Sequence, residues 1–207
     1  QPEALALGWL RNQRLVNDPS EIAAIHVDWE TESVAVTSTT LQETGLSIWE
    51  TTEKEKKLEK KTTTSGCGQG TVFGDLMEDL DKVQLSNTYP LSQDVLYGVM
   101  DQVRKHESIY KQAGAVHGCA LCSNSGANRG EILLFVEDVG RHNAVDAIAG
   151  QMWLHNMPGD DKIFYTTGRL TSEMVIKCAQ MGIPVLVSRS GLTQMGYEIA
   201  QKLNITM

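Results

Sequence analysis

The sequence predicts an α/β fold, a layered domain with helices packed on a mixed sheet, together with a smaller N-terminal α+β region. Strand-like and helix-like segments alternate over residues 132–203, and strands joined through helices run parallel with right-handed crossovers. Of the 207 residues, 41% are hydrophobic, which is sufficient for a packed core. We expect residues 1–66 to form the N-terminal region and residues 67–207 to form the α/β domain.

The N-terminal region begins with a predicted helix. Apolar residues recur at helical spacing over residues 3–16, and the sequence Asn-Asp-Pro-Ser ends this pattern. Residues 21–28 and 33–39 are β-branched runs separated by polar residues, which predicts a hairpin. Between residues 53 and 61, EKEKKLEKK carries three acids and five lysines in nine residues, which is typical of a solvated, mobile loop.

The α/β domain begins with a Gly-rich turn at residues 66–70, followed by predicted helices near residues 75–82 and 91–112. Residues 115–122 and 131–136 flank SNSGANRG, whose composition favours a hairpin connection. Regular alternation follows, with strands at 132–136, 162–166 and 184–188 and helices at 143–155, 171–181 and 193–203. Gly182 comes just after the second of these helices, where a left-handed residue is expected.

The charge of the chain limits its partners. The formal net charge of −8 argues against a general nucleic-acid or lipid-surface binder, because these polyanions attract basic surfaces. An anionic ligand therefore requires locally placed basic residues. We find no apolar run near the ~20 residues of a membrane span and no leader pattern, so we expect a cytoplasmic location.

Three loops of the α/β domain each carry one arginine directly after a predicted strand: Arg141, Arg169 and Arg189. The carboxyl ends of parallel strands meet at one edge, where helix N-termini offer unpaired N–H groups. Arginine matches phosphate oxygens with a planar fork of donors, so the pattern predicts a site for a phosphate-rich ligand. A single such arginine is more often a surface ion pair. His142 either orients the ligand or caps its helix.

Cys67 lies between two glycines and after the charged run, which predicts a mobile, exposed thiol. Sulfur transfer needs a thiolate that reaches both a donor and an acceptor, so access and mobility are its physical requirements. An incidental cysteine in a loop is the alternative interpretation.

Cys119 and Cys122 form the sequence CALC, a spacing that zinc sites and redox proteins also use. Because residues three apart on a strand point to opposite faces, we predict two buried thiols instead. Cys178 shares an apolar helix stripe and is predicted to lie in the core.

The segments EDVGRHNAVD and TGRLTSEMVIKCAQMGIPVLVSRS, together with the loop around Cys67, resemble the FdhD/NarQ family of formate dehydrogenase accessory sulfurtransferases. The motifs occur in the same order, and the resemblance covers nearly the whole chain. It implies a cytidine-deaminase-like fold and a homodimer.

The resemblance also implies a function. Sulfur would pass from a cysteine desulfurase to Cys67 as a persulfide, and then to Mo-bis(molybdopterin guanine dinucleotide) for use by formate dehydrogenase. The phosphates of this acceptor suit the arginine-lined edge, so Arg141, His142, Arg169 and Arg189 are assigned to it by position. No metal bound by the protein itself is expected.

The sequence departs from the family in three places. Many members have a second cysteine three residues after the first, where this chain has Gly70, so release of sulfur needs the acceptor or another reductant. CALC stands where we expect small apolar residues, which leaves its role open. The family usually has additional N-terminal strands and a C-terminal Gly-Phe-x-Arg-like segment, so we expect part of the cofactor site to lie outside these 207 residues.

Two other functions compete with sulfur transfer. A zinc-dependent nucleobase deaminase needs H-x-E and P-C-x-x-C motifs, and the sequence contains neither. A carrier or chaperone that binds the molybdenum cofactor without moving sulfur is the non-catalytic alternative. Modification of Cys67 distinguishes the carrier from the sulfurtransferase.

Overall fold

The structure of the chain is a computed structural model, which describes residues 1–40, 83, 85 and 89–207. The charged run, the Gly-rich turn with Cys67 and the helix predicted near residues 75–82 lie outside the described residues.

Helix α1, Pro2–Asn12, is the first element. Proline suits the first turn of a helix, and the carboxylate of Glu3 interacts favourably with the positive end of the helix dipole. The helix ends earlier than predicted because Arg14 adopts a φ of 52°, a left-handed conformation that stops a helix. Strands β1, Ile22–Asp28, and β2, Ser33–Ser38, pair antiparallel, so the predicted hairpin is confirmed.

The single helix predicted over residues 91–112 is wrong, because two helices occupy this region: α2, Gln93–Lys105, and α3, Ile109–Ala113. The chain leaves the helical conformation at His106, whose ψ of 126° is extended. The hydroxyl of Ser108 then caps α3 by accepting a hydrogen bond from a backbone N–H in its first turn.

The main sheet has four strands in the order β4-β3-β5-β6. Their bounds are His117–Ser123 for β3, Ile132–Asp138 for β4, Lys162–Thr166 for β5 and Val185–Ser188 for β6. Strand β3 pairs antiparallel with both neighbours, and β5 pairs parallel with β6. The predicted mixed sheet is therefore confirmed, and β4, β5 and β6 all run in one direction.

Helices cover both faces of this sheet. On one face, Leu121 and Phe164 pack in a core with residues of α4, Arg141–Leu154, α5, Ser172–Gln180, and α6, Gln194–Lys202. On the other face, the strand residues that alternate with these point the opposite way and pack against α2. Every strand of the sheet thus contributes side chains to two apolar layers, as alternation along a β-strand requires.

Helix α1 crosses α4 at very short range. A Cβ placed on Gly8 would lie 1.6 Å from the carbonyl oxygen of Asp146, and one placed on Gly150 would lie 1.8 Å from the carbonyl oxygen of Ala4. Glycine is required on both helices, because any side chain would force the two backbones apart. The first helix is therefore packed directly on α4, one of the helices that cover the main sheet. The division at residue 66 stays a prediction.

Candidate functional site

The three arginine-bearing loops lie at one edge of the sheet. They follow the carboxyl ends of β4, β5 and β6, which meet there because these strands share a direction. Strand β3 runs the opposite way, so its first residue, His117, is at the same edge, paired with Asp138. Arg169 and Arg189 are exposed and Arg141 is half-buried. The shared edge is as predicted, while ligand binding by these residues stays a prediction.

A cavity of about 590 Å³ opens at this edge, between α2, α3 and the sheet. Arg189 lines it, with its guanidinium carbon 5.7 Å from the centre of the Tyr110 ring. That distance is within the range of a cation–π contact. The remaining lining residues are Tyr97, Met100, Asp101, Val103, Arg104, Ser108, Lys111, Gly118, Phe135, Tyr165 and Thr167.

The walls of this cavity combine flat aromatic surface with positive charge. Four of the lining residues are aromatic, and three are cationic, namely Arg104, Lys111 and Arg189. The carboxylate of Asp101 also lines the cavity, and it pairs with the guanidinium of Arg104 at 2.7 Å. Stacking on aromatic rings together with charge-assisted hydrogen bonds suits a ligand with a planar ring and an anionic group.

Arg141 lies on the other side of the loop that follows β5. A Cβ on Gly168 would lie 2.9 Å from Cδ of Arg141 and 3.4 Å from Nδ1 of His117, so the three residues form one packed group. Burial, and then the charge of Arg141, lowers the pKa of His117. Neighbouring Thr167 lines the cavity, so this loop connects Arg141 to the cavity rim.

His142 is buried, with 6% of its surface exposed, and lies in a polar cluster beneath the edge. Its Nε2 is 3.2 Å from a carboxylate oxygen of Glu173, without an aligned hydrogen bond among the described residues. Burial, followed by the charges of Lys177 and Arg141, lowers its pKa to about 3. The imidazole is therefore neutral near pH 7, and its contact with Glu173 is not a salt bridge.

Behind His142 lies a buried ion pair. The ammonium of Lys177 is 2.8 Å from one carboxylate oxygen of Asp146, and the side-chain amide of Asn12 donates to the other at 2.7 Å. Burial raises the pKa of Asp146, while Lys177 and Asn12 act in the opposite direction. The cluster connects α1, α4 and α5 below the predicted ligand edge.

A profile of the FdhD/NarQ family matches residues 1–207, the whole chain. The chain belongs to the FdhD/NarQ family. A Listeria innocua protein named sulfur carrier protein FdhD is 29% identical over 206 residues, which covers 99% of this chain and 74% of the relative. A Bacillus subtilis protein of the same name is 27% identical and covers 99% of this chain and 72% of the relative.

A solved structure of a putative formate dehydrogenase accessory protein from Desulfotalea psychrophila is similar to this FdhD/NarQ chain. The TM-score is 0.69 with 25% sequence identity, and the match covers 99% of this chain and 70% of the other. The mixed α/β architecture described above is thus one that a solved accessory protein also has.

Three cysteines of this FdhD/NarQ chain are fully buried, as predicted: Cys119, Cys122 and Cys178. Cys119 packs in the core on one face of the sheet and Cys122 in the core on the other, so the two side chains point apart. Burial raises the pKa of each of these two thiols to about 12, which leaves them protonated and unreactive at neutral pH. Cys67 lies outside the described residues.

In the described part of the FdhD/NarQ chain, every helix is too short or too polar to span a lipid bilayer. Within residues 1–40 and 89–207, no three His, Cys, Asp or Glu side chains are grouped as a metal site would require.

Sequence reasoning missed the α2 and α3 wall of the cavity. Tyr97 is 67% exposed on α2, although tyrosine is usually more buried, and Tyr110 lies in the first turn of α3. Aromatic residues interspersed with Arg104 and Lys111 over one short stretch are the signal that was present in the sequence. The sequence alone does not place these residues at the arginine-bearing edge, because they reach it only when α2 and α3 pack on the sheet.

Proposed function

We propose that this chain is a sulfurtransferase. It accepts sulfur from a cysteine desulfurase as a persulfide on Cys67 and delivers it to Mo-bis(molybdopterin guanine dinucleotide), which formate dehydrogenase requires. Membership of the FdhD/NarQ family and the names of the relatives support this proposal. The observation that carries it is the aromatic, cationic cavity at the sheet edge that bears Arg141, Arg169 and Arg189.

The first step is an exchange between a thiolate and a persulfide. The thiolate of Cys67 attacks the terminal sulfur of the donor persulfide, a new S–S bond forms on Cys67, and the donor leaves as a thiolate. Release of that sulfur as hydrosulfide requires a second thiolate, which attacks the Cys67 sulfur and leaves a mixed disulfide. With Gly70 in place of a second cysteine, an external thiol reductant supplies this thiolate.

The acceptor is a substrate with guanine rings and phosphates, and the cavity offers a partner for each. One ring stacks against Tyr110 and its aromatic neighbours, while the phosphates meet Arg189 in the cavity and Arg169 on the adjoining loop. Arg141, on the far side of Gly168, contributes a further positive charge for the phosphates. His142 acts from beneath, as a buried neutral group that supports the start of α4.

The same proposal includes further properties, of which the fold and the homodimer follow from the family resemblance and the others from the charge and pattern of the sequence. The domain is cytidine-deaminase-like in its layering, and the protein acts as a homodimer in the cytoplasm. It transfers sulfur without a metal of its own, and it binds neither nucleic acid nor membrane.

Mass mapping of Cys67 tests the proposal. The protein is incubated with a cysteine desulfurase and cysteine, alkylated without reduction, and digested for peptide mass spectrometry. We expect one added sulfur on the Cys67 peptide and none on the peptides of the three buried cysteines, which serve as internal controls. The Cys67→Ala variant should carry no added sulfur.

A second measurement, on intact protein, distinguishes the carrier from the sulfurtransferase. Binding of GDP, used as a probe for the nucleotide arm of the cofactor, is measured by calorimetry on wild-type protein. GDP binding without any sulfur on Cys67 would contradict sulfur transfer and favour a carrier that holds the cofactor only.

A further inference from the structure

Two serines, one at the end of β6 and one in the loop after it, form hydrogen bonds to the loop after β5. The hydroxyl of Ser188 donates a hydrogen bond to the carbonyl oxygen of Gly168 at 2.8 Å. The hydroxyl of Ser190 donates to the carbonyl oxygen of Thr167 at 2.6 Å. The two loops that carry Arg169 and Arg189 are therefore joined by side-chain bonds.

The backbone around Arg189 is fastened as well. Its own N–H donates to the carbonyl oxygen of Thr166 at 3.2 Å, and the N–H of Ser190 donates to the hydroxyl of Ser188 at 3.0 Å. Hydrogen bonds thus hold the chain immediately before, at and after Arg189. With both serine side chains directed to the loop after β5, Arg189 extends instead to Tyr110 on α3.

The loop that receives these bonds is itself fixed to the sheet. The N–H of Gly118 donates to the hydroxyl of Thr167 at 3.0 Å, and the N–H of Thr167 donates to the carbonyl oxygen of Gly118 at 2.9 Å. Gly118 belongs to β3, in the middle of the sheet. The serine hydrogen bonds therefore anchor the exposed loop that carries Arg189 to the sheet.

We infer that Ser188 and Ser190 are positioning residues, which hold the guanidinium of Arg189 over Tyr110 at the mouth of the cavity. An anionic ligand then meets an arginine that is already oriented, and binding does not have to order it. The ligand in this inference rests on the proposed function, whereas the orientation of Arg189 does not. Neither serine needs to touch the ligand.

Calorimetric titration with GDP tests the inference on the intact protein. We expect Ser190→Ala to weaken GDP binding about fivefold, the effect of losing one hydrogen bond, and Ser190→Thr to retain wild-type affinity. The matched control is Ser123→Ala, which removes a hydroxyl-to-carbonyl bond of 3.0 Å at the opposite end of β3. That control should bind GDP as the wild type does.

A double-mutant cycle separates positioning from a general loss of stability. If Ser190 acts through Arg189, Ser190→Ala should have no further effect on GDP affinity in an Arg189→Ala background. An equal loss in both backgrounds would overturn the inference, and so would wild-type affinity in Ser190→Ala.

A measurement without ligand keeps this inference distinct from the proposed function. The Arg189 side-chain protons over the Tyr110 ring should show ring-current-shifted NMR signals, which move towards ordinary values in the Ser188→Ala, Ser190→Ala double variant. If wild-type protein fails to bind GDP but these signals move, the proposed function fails and the positioning stands. Signals that stay in place in the double variant would overturn the positioning.

Discussion

At the scale of the residue, His142 shows how far a side chain's surroundings depend on tertiary packing. Its sequence position next to Arg141 predicts a place at the ligand edge, and the structure does put it at the first turn of α4. Its ring, however, lies inside, against Glu173. A sequence pattern identifies the helical turn on which a residue lies. It does not show which way the side chain points, because that depends on the helix packed against it.

The buried imidazole of His142 predicts a stability that depends on pH. Its pKa is lowered from 6.5 to about 3 in the folded protein, so the unfolded chain binds more protons between these values. The contribution of His142 to the free energy of unfolding is therefore fully present above about pH 6.5. It falls as the pH drops towards 3, by up to about 1.4 kcal/mol per pH unit. Urea unfolding between pH 6.5 and 4.5 measures the slope.

The variant that checks this assignment is His142→Gln, which should flatten the slope by about 1 kcal/mol per pH unit. His26→Gln, at an exposed position on β1, is the control and should keep the wild-type slope. His117 also contributes to the remaining slope, because its pKa is lowered as well. An unchanged slope in His142→Gln would show that this imidazole is not held neutral.

At the scale of the element, the crossing of α1 and α4 is so close that both helices need glycine at the crossing. Gly8→Ala should destabilise the protein by about 3 kcal/mol or more, because the new Cβ would meet the backbone of α4 at 1.6 Å. Gly98→Ala on α2 is the matched control, since apart from its chain neighbours and its own helix backbone no described atom lies within 4 Å of its Cβ position. That control should gain about 0.5–1 kcal/mol from helix propensity.

Thermal and urea unfolding of the two variants give this comparison. Equal stability of Gly8→Ala and wild type would contradict the close crossing. The result also bears on the predicted domain division, because a strongly destabilised variant would mean that the first helix and the α/β domain unfold together.

Elements with strong local signals were predicted well, and those that depend on distant contacts were not. Strand β5 matches its predicted bounds, because its run of Ile163, Phe164 and Tyr165 is bounded by polar turns. The break between α2 and α3 was missed, since the carboxylate of Glu137 on β4 accepts the N–H groups of Ile109 and Tyr110 at 2.8 and 2.7 Å. No local pattern reveals that contact between residues so far apart in sequence.

One part of the candidate site could likewise be predicted from the sequence, and another part could not. The arginine edge follows from the direction of the strands, which alternation with helices predicts from sequence. The cavity wall on α2 and α3 does not, because it forms only when these helices pack on the face of the sheet that carries Phe135 and Tyr165.

At the scale of the whole molecule, an acidic protein has three arginines at one edge of its main sheet. We predict that Arg169→Ala weakens GDP binding about two- to tenfold, the loss of one exposed charge-assisted contact, and that added salt weakens the wild type. Arg129→Ala, in the loop after β3 at the opposite end of the sheet, should leave GDP affinity unchanged. Unchanged affinity in Arg169→Ala would remove Arg169 from the site.

The central claim is that sulfur passes from Cys67 to the molybdenum cofactor, and isotope transfer tests it most directly. Protein loaded with ³⁴S-labelled persulfide by a desulfurase is mixed with the cofactor and a thiol reductant, and the cofactor is then isolated for mass spectrometry. We predict ³⁴S in the cofactor with wild-type protein and none with Cys67→Ala. Label that stays on the protein, or reaches the cofactor equally well in Cys67→Ala, would contradict the account.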